Sequence, residues 1–275
     1  MATATDHLKA GDLSATLSAL QDAVRADPSD AQLRIFLFQL LCVIGDWNRA
    51  IRQLKLCAEL DDSAVPMAQT YREAIICEAY REKVFTGEKE PMIFGQPQGW
   101  IVMMVQALAA LAEGRAEEAA NLRARAFDEA PATPGTLDEK PFEWIADADM
   151  RLGPILEVIV NGRYYWMPFN VLSSVRCDPP ADLRDAVWTA AQLTLQNGGE
   201  FVGLIPTRYP ATLAQGDDQA KLARSTSWMD AGAETFVGIG QRLLATDFGD
   251  TAVMDLRNLQ LDPVPQAAQQ SVENG

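Results

Sequence analysis

Two stretches of the sequence, AGDLSATLSALQDAVRAD at residues 10–27 and IGDWNRAIRQLKLCAELD at residues 44–61, repeat one pattern at a distance of 34 residues. Both contain a Gly-Asp pair, and the apolar residues that follow it keep the same register. A period of 34 residues is typical of the tetratricopeptide unit, a helix-turn-helix. One such unit cannot bury its apolar face alone, so units stack and form a concave binding surface. The repeat therefore predicts a helical binding module rather than an enzyme.

Apolar residues three to four positions apart extend this helical pattern through the first half of the chain. The helices predicted in this way span residues 2–9, 13–27, 33–44, 47–60, 65–85, 100–112 and 116–129. The stretch at residues 86–99 contains glycines and prolines and predicts a loop. The turn at Gly114 follows Gly45 by 69 residues, which is two periods plus one residue. The first half is therefore predicted to hold three helix pairs, of which the middle one is lengthened and interrupted.

The periodicity changes in the second half of the chain. Residues 132–141, ATPGTLDEKP, are polar and rich in turn formers and predict a linker, with a short helix over residues 141–150 after it. Asn161-Gly162 separates strand-like runs at residues 155–160 and 163–169, which indicates a β-hairpin. Further strands are predicted at residues 171–177, 187–196, 200–205, 236–245 and 252–259.

These patterns predict an α+β protein with two domains. The predicted divisions are a tetratricopeptide-like α-α superhelix over residues 1–131, a linker with a short helix over residues 132–153, a mainly antiparallel-β domain over residues 154–261, and a disordered tail over residues 262–275. Helices come first and strands later, so the two are not interleaved along the chain.

Composition narrows the classes of partner. The 275 residues carry a formal net charge of −15, and both halves are acidic, with 14 basic against 24 acidic residues in residues 1–150 and 9 against 14 in residues 151–275. Nucleic acids and anionic membranes attract cations, so the sequence predicts neither as a partner. There is no run of about 18 apolar residues, so no membrane span is expected. No signal peptide is evident, and the four scattered cysteines predict buried thiols in a cytoplasmic protein.

Motifs for familiar catalytic and cofactor sites are missing from the sequence. His7 is the only histidine, so a Ser-His or Cys-His pair would need this one residue near the amino terminus. A zinc site lacks its ligand spacing, and no GxxxxGK[ST] phosphate loop occurs. Gly238-Ile-Gly240 lies in a predicted strand without the third glycine and the helix of a dinucleotide site. We therefore expect no cofactor and no metal.

Three carboxylates, Asp147, Asp149 and Glu157, lie near Arg151 and offer one enzymatic alternative. Paired acids can form the site of a hydrolase or bind a hard cation. Alternatively, Asp147 and Asp149 cap or solvate the short helix, with Arg151 as their ion-pair partner. We favour this second interpretation.

The run Tyr164-Tyr165-Trp166 is the most distinctive local feature. On a strand, Tyr164 and Trp166 share one face and Tyr165 takes the other, so one face enters the core and the other can stay accessible. Tyrosine and tryptophan are frequent anchors of protein interfaces, although the same residues also pack protein cores. The predicted partner-binding residues are Tyr164, Tyr165, Trp166, Trp188, Tyr209, Trp47 and Trp100.

Several motifs, most of them in the second half, resemble the ImpE family, which is also called TagJ. They are WIADAD at residues 144–149, RLGP at residues 151–154, GRYYWMP at residues 162–168, PADLRD at residues 180–185, NGGE at residues 197–200 and IPTRY at residues 205–209. The resemblance covers nearly the whole chain, and its most specific motifs lie in the predicted β domain.

This resemblance implies a non-enzymatic accessory protein of bacterial type VI secretion, located in the cytoplasm. It implies a tetratricopeptide-like domain joined to an α+β domain. It also implies two partners: the small subunit of the contractile sheath (TssB-like), chiefly its N-terminal helix, and the disassembly ATPase ClpV. We therefore expect an adaptor. The alternatives are the hydrolase described above and a general scaffold or chaperone that binds many apolar peptides.

Overall fold

Each Gly-Asp pair of the repeat marks a boundary between two helices. In the computed structural model, which describes residues 3–263, Gly11 and Gly45 have left-handed φ angles of +83° and +79° and end the helices before them. Asp12 and Asp46 then cap the following helices, and their side chains accept backbone N–H groups of the first turn. Glycine adopts the left-handed conformation without steric penalty, and aspartate is a preferred N-cap. The repeated pair is thus a helix stop followed by a helix start.

Seven α-helices of the described chain precede residue 131. They are α1 (Ala4–Ala10), α2 (Leu13–Ala26), α3 (Ala31–Ile44), α4 (Trp47–Leu60), α5 (Val65–Phe85), α6 (Gly99–Ala112) and α7 (Ala116–Glu129). All seven predicted helices are present, and their bounds differ from the prediction by no more than two residues. The predicted loop at residues 86–99 contains a short strand, β1 (Met92–Ile93), which the sequence pattern does not indicate.

The second half is mainly antiparallel β structure. Its strands are β2 (Gly135–Leu137), β3 (Lys140–Phe142), β4 (Ile145–Asp147), β5 (Ile155–Val160), β6 (Arg163–Pro168), β7 (Leu172–Cys177), β8 (Trp188–Leu195), β9 (Glu200–Pro206), β10 (Thr226–Asp230), β11 (Phe236–Gly240), β12 (Leu243–Thr246), β13 (Gly249–Ala252) and β14 (Asn258–Leu261). Two short helices, α8 (Thr212–Gln215) and α9 (Asp218–Lys221), precede β10. The predicted α+β class, with helices first and strands later, is confirmed.

The strands form three sheets in the described residues. Nine strands pair in the order β1-β6-β5-β9-β8-β7-β14-β2-β3, while β13-β12-β4 form a second sheet and β10-β11 a third. The predicted hairpin joins β5 to β6, and Asn161 and Gly162 at its turn have positive φ angles of +49° and +69°. Only the pairing of β1 with β6 is parallel among the described strands.

The region predicted as a linker differs from its prediction. Residues 135–147 hold β2, β3 and β4, so the short helix predicted over residues 141–150 is wrong. β2 pairs with β14, and β4 pairs with β12, near the end of the described chain. β2 and β4 are each three residues long and are stabilised by strands that are distant in sequence. Local periodicity cannot detect such partners.

Two further strand predictions are corrected. The strand predicted at residues 236–245 is two strands, because Gly240 has a left-handed φ of +94° and turns the chain between β11 and β12. The strand predicted at residues 252–259 is mostly absent, because a 3₁₀ turn at Val253–Asp255 separates the end of β13 from the start of β14. These two strands lie in different sheets. Residues 264–275 of the predicted disordered tail lie outside the described residues, and the domain boundaries stay a prediction.

The nine-stranded sheet has an apolar core on each of its faces. On β5, Ile155 and Ile159 belong to the core on the helix side, whereas Leu156 and Val158 belong to the core on the other side. The first core joins buried residues of the helices with buried residues of β5, β6 and β8. Because one core spans both halves of the chain, helices and sheet pack as one unit.

Helices α3 and α5 carry polar contacts with the β half. The Arg208 Nη1 atom donates to the Val43 carbonyl oxygen near the end of α3 at 2.6 Å, and Arg81 of α5 donates to Glu157 of β5. The surface that α3 and α5 turn towards the β half is therefore occupied by the chain itself, and it is not an open peptide groove.

Candidate functional site

Glu157 lies in the middle of β5 and faces helix α5 from the fully buried interior. Its Oε1 accepts from Arg81 Nε at 2.6 Å, and its Oε2 accepts from Arg81 Nη2 at 2.8 Å. The carboxylate also accepts from Arg242 Nη2 and from the Tyr164 hydroxyl. A bidentate guanidinium pair with two further donors is a strong, geometrically specific contact. This pair joins the helical half to the sheet.

The other two carboxylates of the predicted cluster are also buried and paired. Asp147, at the end of β4, accepts from Arg242. Asp149 accepts from Arg151 Nε at 2.9 Å and Arg151 Nη2 at 2.6 Å, and it also accepts the backbone N–H of Gly238 at 2.9 Å. The predicted pairing with Arg151 is thus present for Asp149. Asp147 is paired instead with Arg242, an arginine distant in sequence.

Burial and the neighbouring arginines act in opposite directions on these acids. Burial alone would raise the pKa of Glu157, but Arg81 and Arg242 outweigh it and lower that pKa to about 2. At Asp147, burial dominates and raises the pKa to about 7, although Arg242 opposes the shift. Glu157 is therefore the acid whose negative charge the site stabilises.

This arrangement favours the ion-pair interpretation over the hydrolase. Each of the three carboxylates is engaged by a guanidinium, and Asp147, Asp149 and Glu157 are at most 3% exposed. A general acid or base must reach a substrate atom within hydrogen-bond distance. The predicted capping role is also corrected, because residues 145–147 form a strand and no helix is present to cap. The sequence pattern did not identify Arg81 and Arg242 as the partners.

A small cavity lies beside this network, between Glu78, Arg81 and Arg208. Its volume is about 20 Å³, which is room for one water molecule. Pockets for small ligands are typically several hundred Å³. Within residues 3–263, no three His, Cys, Asp or Glu side chains converge as metal ligands. Among the described helices, none combines the length and apolar character of a membrane span.

The aromatic run on β6 divides between the two faces of the sheet as predicted. Tyr164 and Trp166 are buried on the helix side, where Trp166 Nε1 donates to the Tyr164 hydroxyl oxygen at 2.8 Å. Tyr165 is half-buried on the opposite face, and its ring lies 5.6 Å from the ring of Phe94. Tyr164 and Trp166 are thus part of the core and of the charged network, while Tyr165 retains an accessible surface.

Trp188 connects the two halves of the protein. Its side chain is fully buried, and its Nε1 donates to Glu78 Oε1 of helix α5 at 3.1 Å. Its ring lies 6.1 Å from the ring of Trp47 and 5.6 Å from that of Tyr71. Trp47 is half-buried at the start of α4. These aromatic contacts fill the boundary between the helices and β8.

Trp100 and Tyr209 complete the predicted partner-binding set. Trp100 is buried in α6 and donates to Gln98 Oε1 at 2.9 Å, and the Tyr209 hydroxyl accepts the backbone N–H of Leu243 at 2.9 Å. Five of the seven predicted residues are therefore interior in the structure. Tyr165 and Trp47 are the two with accessible surface, and the binding role of all seven stays a prediction.

Tyr165 belongs to a half-buried aromatic cluster of Phe94, Tyr165 and Phe201. The rings of Phe94 and Phe201 lie 5.5 Å apart. Met92, which pairs with Tyr165 in the parallel β1–β6 contact, is 40% exposed beside the cluster. This set, which we call the aromatic cluster, is an accessible apolar surface at one edge of the large sheet. The sequence pattern indicated only its Tyr165 member.

A second apolar surface, formed by Trp228 and Phe236, lies on one face of the β10–β11 hairpin, and Met229 lies on the opposite face. All three side chains are more than a third exposed. The pattern between residues 214 and 228 is ambiguous, and the sequence therefore did not predict this surface.

Comparisons with known proteins agree with this architecture. The family model described as "ImpE protein" matches residues 139–260. The type VI secretion system accessory component TagJ of Pseudomonas aeruginosa is 55% identical over 260 residues, which covers 94% of this chain and 91% of that protein. The crystal structure of protein VPA1032 from Vibrio parahaemolyticus has the same fold, with a TM-score of 0.83 and 23% identity over 96% of this chain and 98% of its own. The 55% identity to the Pseudomonas aeruginosa protein extends over nearly the whole of both chains. The protein therefore belongs to the ImpE family, also called TagJ.

Proposed function

We propose that the protein is a non-enzymatic adaptor of type VI secretion that binds the N-terminal helix of a TssB-like sheath subunit in the bacterial cytoplasm. The observation that carries this proposal is the 55% identity, over 94% of the chain, to a protein named as an accessory component of type VI secretion. The paired, buried carboxylates and the small cavity beside them support a binding role over catalysis.

The contacts between the halves limit where a helix can bind. The surface of α3 and α5 that faces the β half is filled by Glu157, Trp188 and Arg208. A helix therefore has to dock elsewhere. An amphipathic helix is usually bound by a hydrophobic surface that takes its apolar face, and aromatic residues dominate the energetics of such interfaces. We place the binding surface at the aromatic cluster, which includes Tyr165.

The acidic character of the chain favours a helix with a basic polar face. With a formal net charge of −15, the protein raises the local concentration of cationic partners and speeds their association. Raising the salt concentration should therefore slow the association more than it speeds dissociation, because salt screens long-range attraction.

Calorimetry of the full chain with a synthetic N-terminal peptide of the sheath subunit tests the proposal. We expect binding with a dissociation constant well below about 100 μM, a value already typical of weak association. A scrambled peptide of the same composition should not bind. Equal binding of both peptides would instead identify a general scaffold or chaperone, and no binding at about 100 μM would refute the adaptor.

Two matched variants locate the surface. Tyr165→Ala should weaken peptide binding by about tenfold or more, as loss of an aromatic anchor does. Trp47→Ala removes the other half-buried predicted residue, on the helical half, and should leave the affinity unchanged. Circular dichroism of both variants checks that they are folded. The reverse result would assign the helix to the helical half and refute the location at the aromatic cluster.

The link to ClpV is the second part of the proposal. An adaptor that joins the sheath to its disassembly ATPase should capture ClpV on an immobilised sheath subunit only when the adaptor is present. Capture of equal amounts of ClpV with and without the protein would refute this bridging role.

A further inference from the structure

Strand β10 has one paired side and one free side. It pairs with β11 so that Trp228 lies opposite Gly238, Thr226 opposite Gly240 and Asp230 opposite Phe236. Residues 226–230 are partly or fully exposed along their whole length. We call the side of β10 turned away from β11 its free edge.

The hydrogen bonds of β11 define which groups point to this free edge. The N–H groups of Phe236, Gly238 and Gly240 donate away from β10, to Met150 Sδ, Asp149 Oδ2 and Thr212 Oγ1. In an antiparallel pair, residues whose groups point outward alternate with residues bonded across the pair. The N–H and C=O groups of Thr226, Trp228 and Asp230 therefore point outward on β10. Within residues 3–263, these backbone groups have no backbone partner outside the strand pair.

The free edge of β10 has little of the usual protection of edge strands, since Asp230 at its end is the one charged residue of the strand. Proteins shield such edges by keeping them short or by placing lysine or proline on them. The edges of the large sheet follow this rule, since β1 has two residues and β3 has three, including Lys140 and Pro141. β10 has five residues, Thr-Ser-Trp-Met-Asp, and carries an exposed Trp228 and Met229. An unprotected edge of this kind is suited to pairing with another strand.

The chemistry of this edge is complementary to itself. Consider antiparallel pairing of two copies centred on Trp228. The outward backbone N–H and C=O groups of Trp228 then bond to those of Trp228 in the second copy, and the backbone groups of Thr226 bond to those of Asp230 in the second copy. Arg224 lies in a bend two residues before β10, and its guanidinium donates to the carbonyl oxygens of Leu8 and Lys9 of helix α1. The self-complementarity of this edge therefore rests on its outward backbone groups and on the exposed Trp228, which faces its own copy across the two-fold axis. We propose that β10 pairs antiparallel with β10 of a second copy of this chain, which makes a two-fold dimer.

Sedimentation velocity of the full chain tests this dimer. The net charge of −15 opposes association, so the experiment uses about 0.3 M salt, at which the Debye length is below about 8 Å. Between about 1 and about 100 μM, the mass should rise from that of the monomer towards that of the dimer. A monomer at every concentration would overturn the proposal, whichever other strand or peptide binds at β10.

A substitution at the centre of the pairing separates backbone from side-chain effects. Trp228→Pro removes the outward N–H, which bonds to no group of the described chain, and an edge strand tolerates proline at such a position. This variant should stay monomeric at about 100 μM. Trp228→Phe keeps both the N–H and an apolar ring and should still dimerise. Equal dimerisation of the two variants would overturn the proposal.

Engineered cysteines test the register without depending on these variants. In the proposed register, residue 227 of one copy lies opposite residue 229 of the other, at a close, non-hydrogen-bonded pair position where a disulfide can form. The four native cysteines are buried. The double variant Ser227→Cys/Met229→Cys should form a covalent dimer on mild oxidation, and either single variant should form at least about tenfold less. Equal yields from single and double variants, or no covalent dimer at all, would overturn the proposal.

Discussion

Replacing Glu157 by glutamine removes the negative charge at the centre of the buried network. Glu157→Gln keeps the size of the side chain but leaves the guanidinium groups of Arg81 and Arg242 without their shared carboxylate in the interior. Removing one partner of a buried ion pair destabilises a protein by about 3–5 kcal/mol, because the remaining charge is desolvated without compensation.

The pKa of Glu157 supports a similar magnitude. It falls from 4.5 to about 2 in the folded protein, and one pKa unit corresponds to about 1.4 kcal/mol. The folded state therefore stabilises the ionised form by about 3 kcal/mol at neutral pH. We expect Glu157→Gln to lower the free energy of unfolding by about 3 kcal/mol in urea denaturation at pH 7.

A matched control is Glu59→Gln on helix α4. Glu59 lies 3.7 Å from Lys55 Nζ in an exposed ion pair, and such pairs contribute less than about 1 kcal/mol. The control should therefore change the free energy of unfolding by about 0.5 kcal/mol or less. If both substitutions have the same small effect, the buried network does not stabilise the protein, and the reasoning is refuted.

The pH dependence provides a second readout of the same substitution. Because the pKa of Glu157 is lower in the folded state than in the unfolded state, its stabilisation is present above pH 4.5 and is lost as the pH falls from 4.5 to about 2. The difference in stability between the native protein and Glu157→Gln should therefore shrink across this range. A difference that is constant between pH 7 and pH 3 would contradict the assignment of the charge to Glu157.

Three further predictions address packing and the contact between the halves. Gly238→Ala should destabilise the protein by about 1–3 kcal/mol, because its Cβ would lie 2.2 Å from the Tyr209 ring. Gly99→Ala, at the first residue of α6, meets no atom closer than 3.9 Å and should change the free energy of unfolding by about 0.5 kcal/mol or less. Urea denaturation measures both, and equal effects would contradict the packing. Arg208→Lys should cost about 1–3 kcal/mol in the same assay, because one ammonium cannot replace the fork that binds the Val43 carbonyl, and an unchanged midpoint would contradict it. Tryptophan fluorescence and far-UV circular dichroism should give one coincident unfolding transition, because one core spans both halves, and two separated transitions would contradict this.

The helices and the β5–β6 hairpin could be predicted because their determinants are local. A glycine that ends one helix and an aspartate that caps the next act within a few residues of chain. Asn161-Gly162 likewise sets its turn by the φ angles that these two residues tolerate. Such signals do not depend on what packs against the segment.

The strands β2 and β4 and the pairing of Glu157 could not be predicted in the same way. β4 is stabilised by β12, and Glu157 is paired with Arg81, which lies 76 residues earlier in the chain. Neither partner leaves a periodic trace in the sequence around the segment it stabilises. The carboxylates near residue 150 were correctly identified as a cluster, but the sequence did not indicate that they were buried.

By itself, then, the sequence determined the helical repeats, the strands β5 to β9, the acidic character and the motifs of the family, because caps, turns and side-chain alternation are properties of neighbouring residues. Tertiary structure alone decided that the α3–α5 surface is covered, that Tyr164 and Trp166 are interior while Tyr165 is half-exposed, and that β10 keeps a free edge. Accessibility depends on which distant segments pack against a residue, and charge pairing depends on which distant side chains share its desolvated environment.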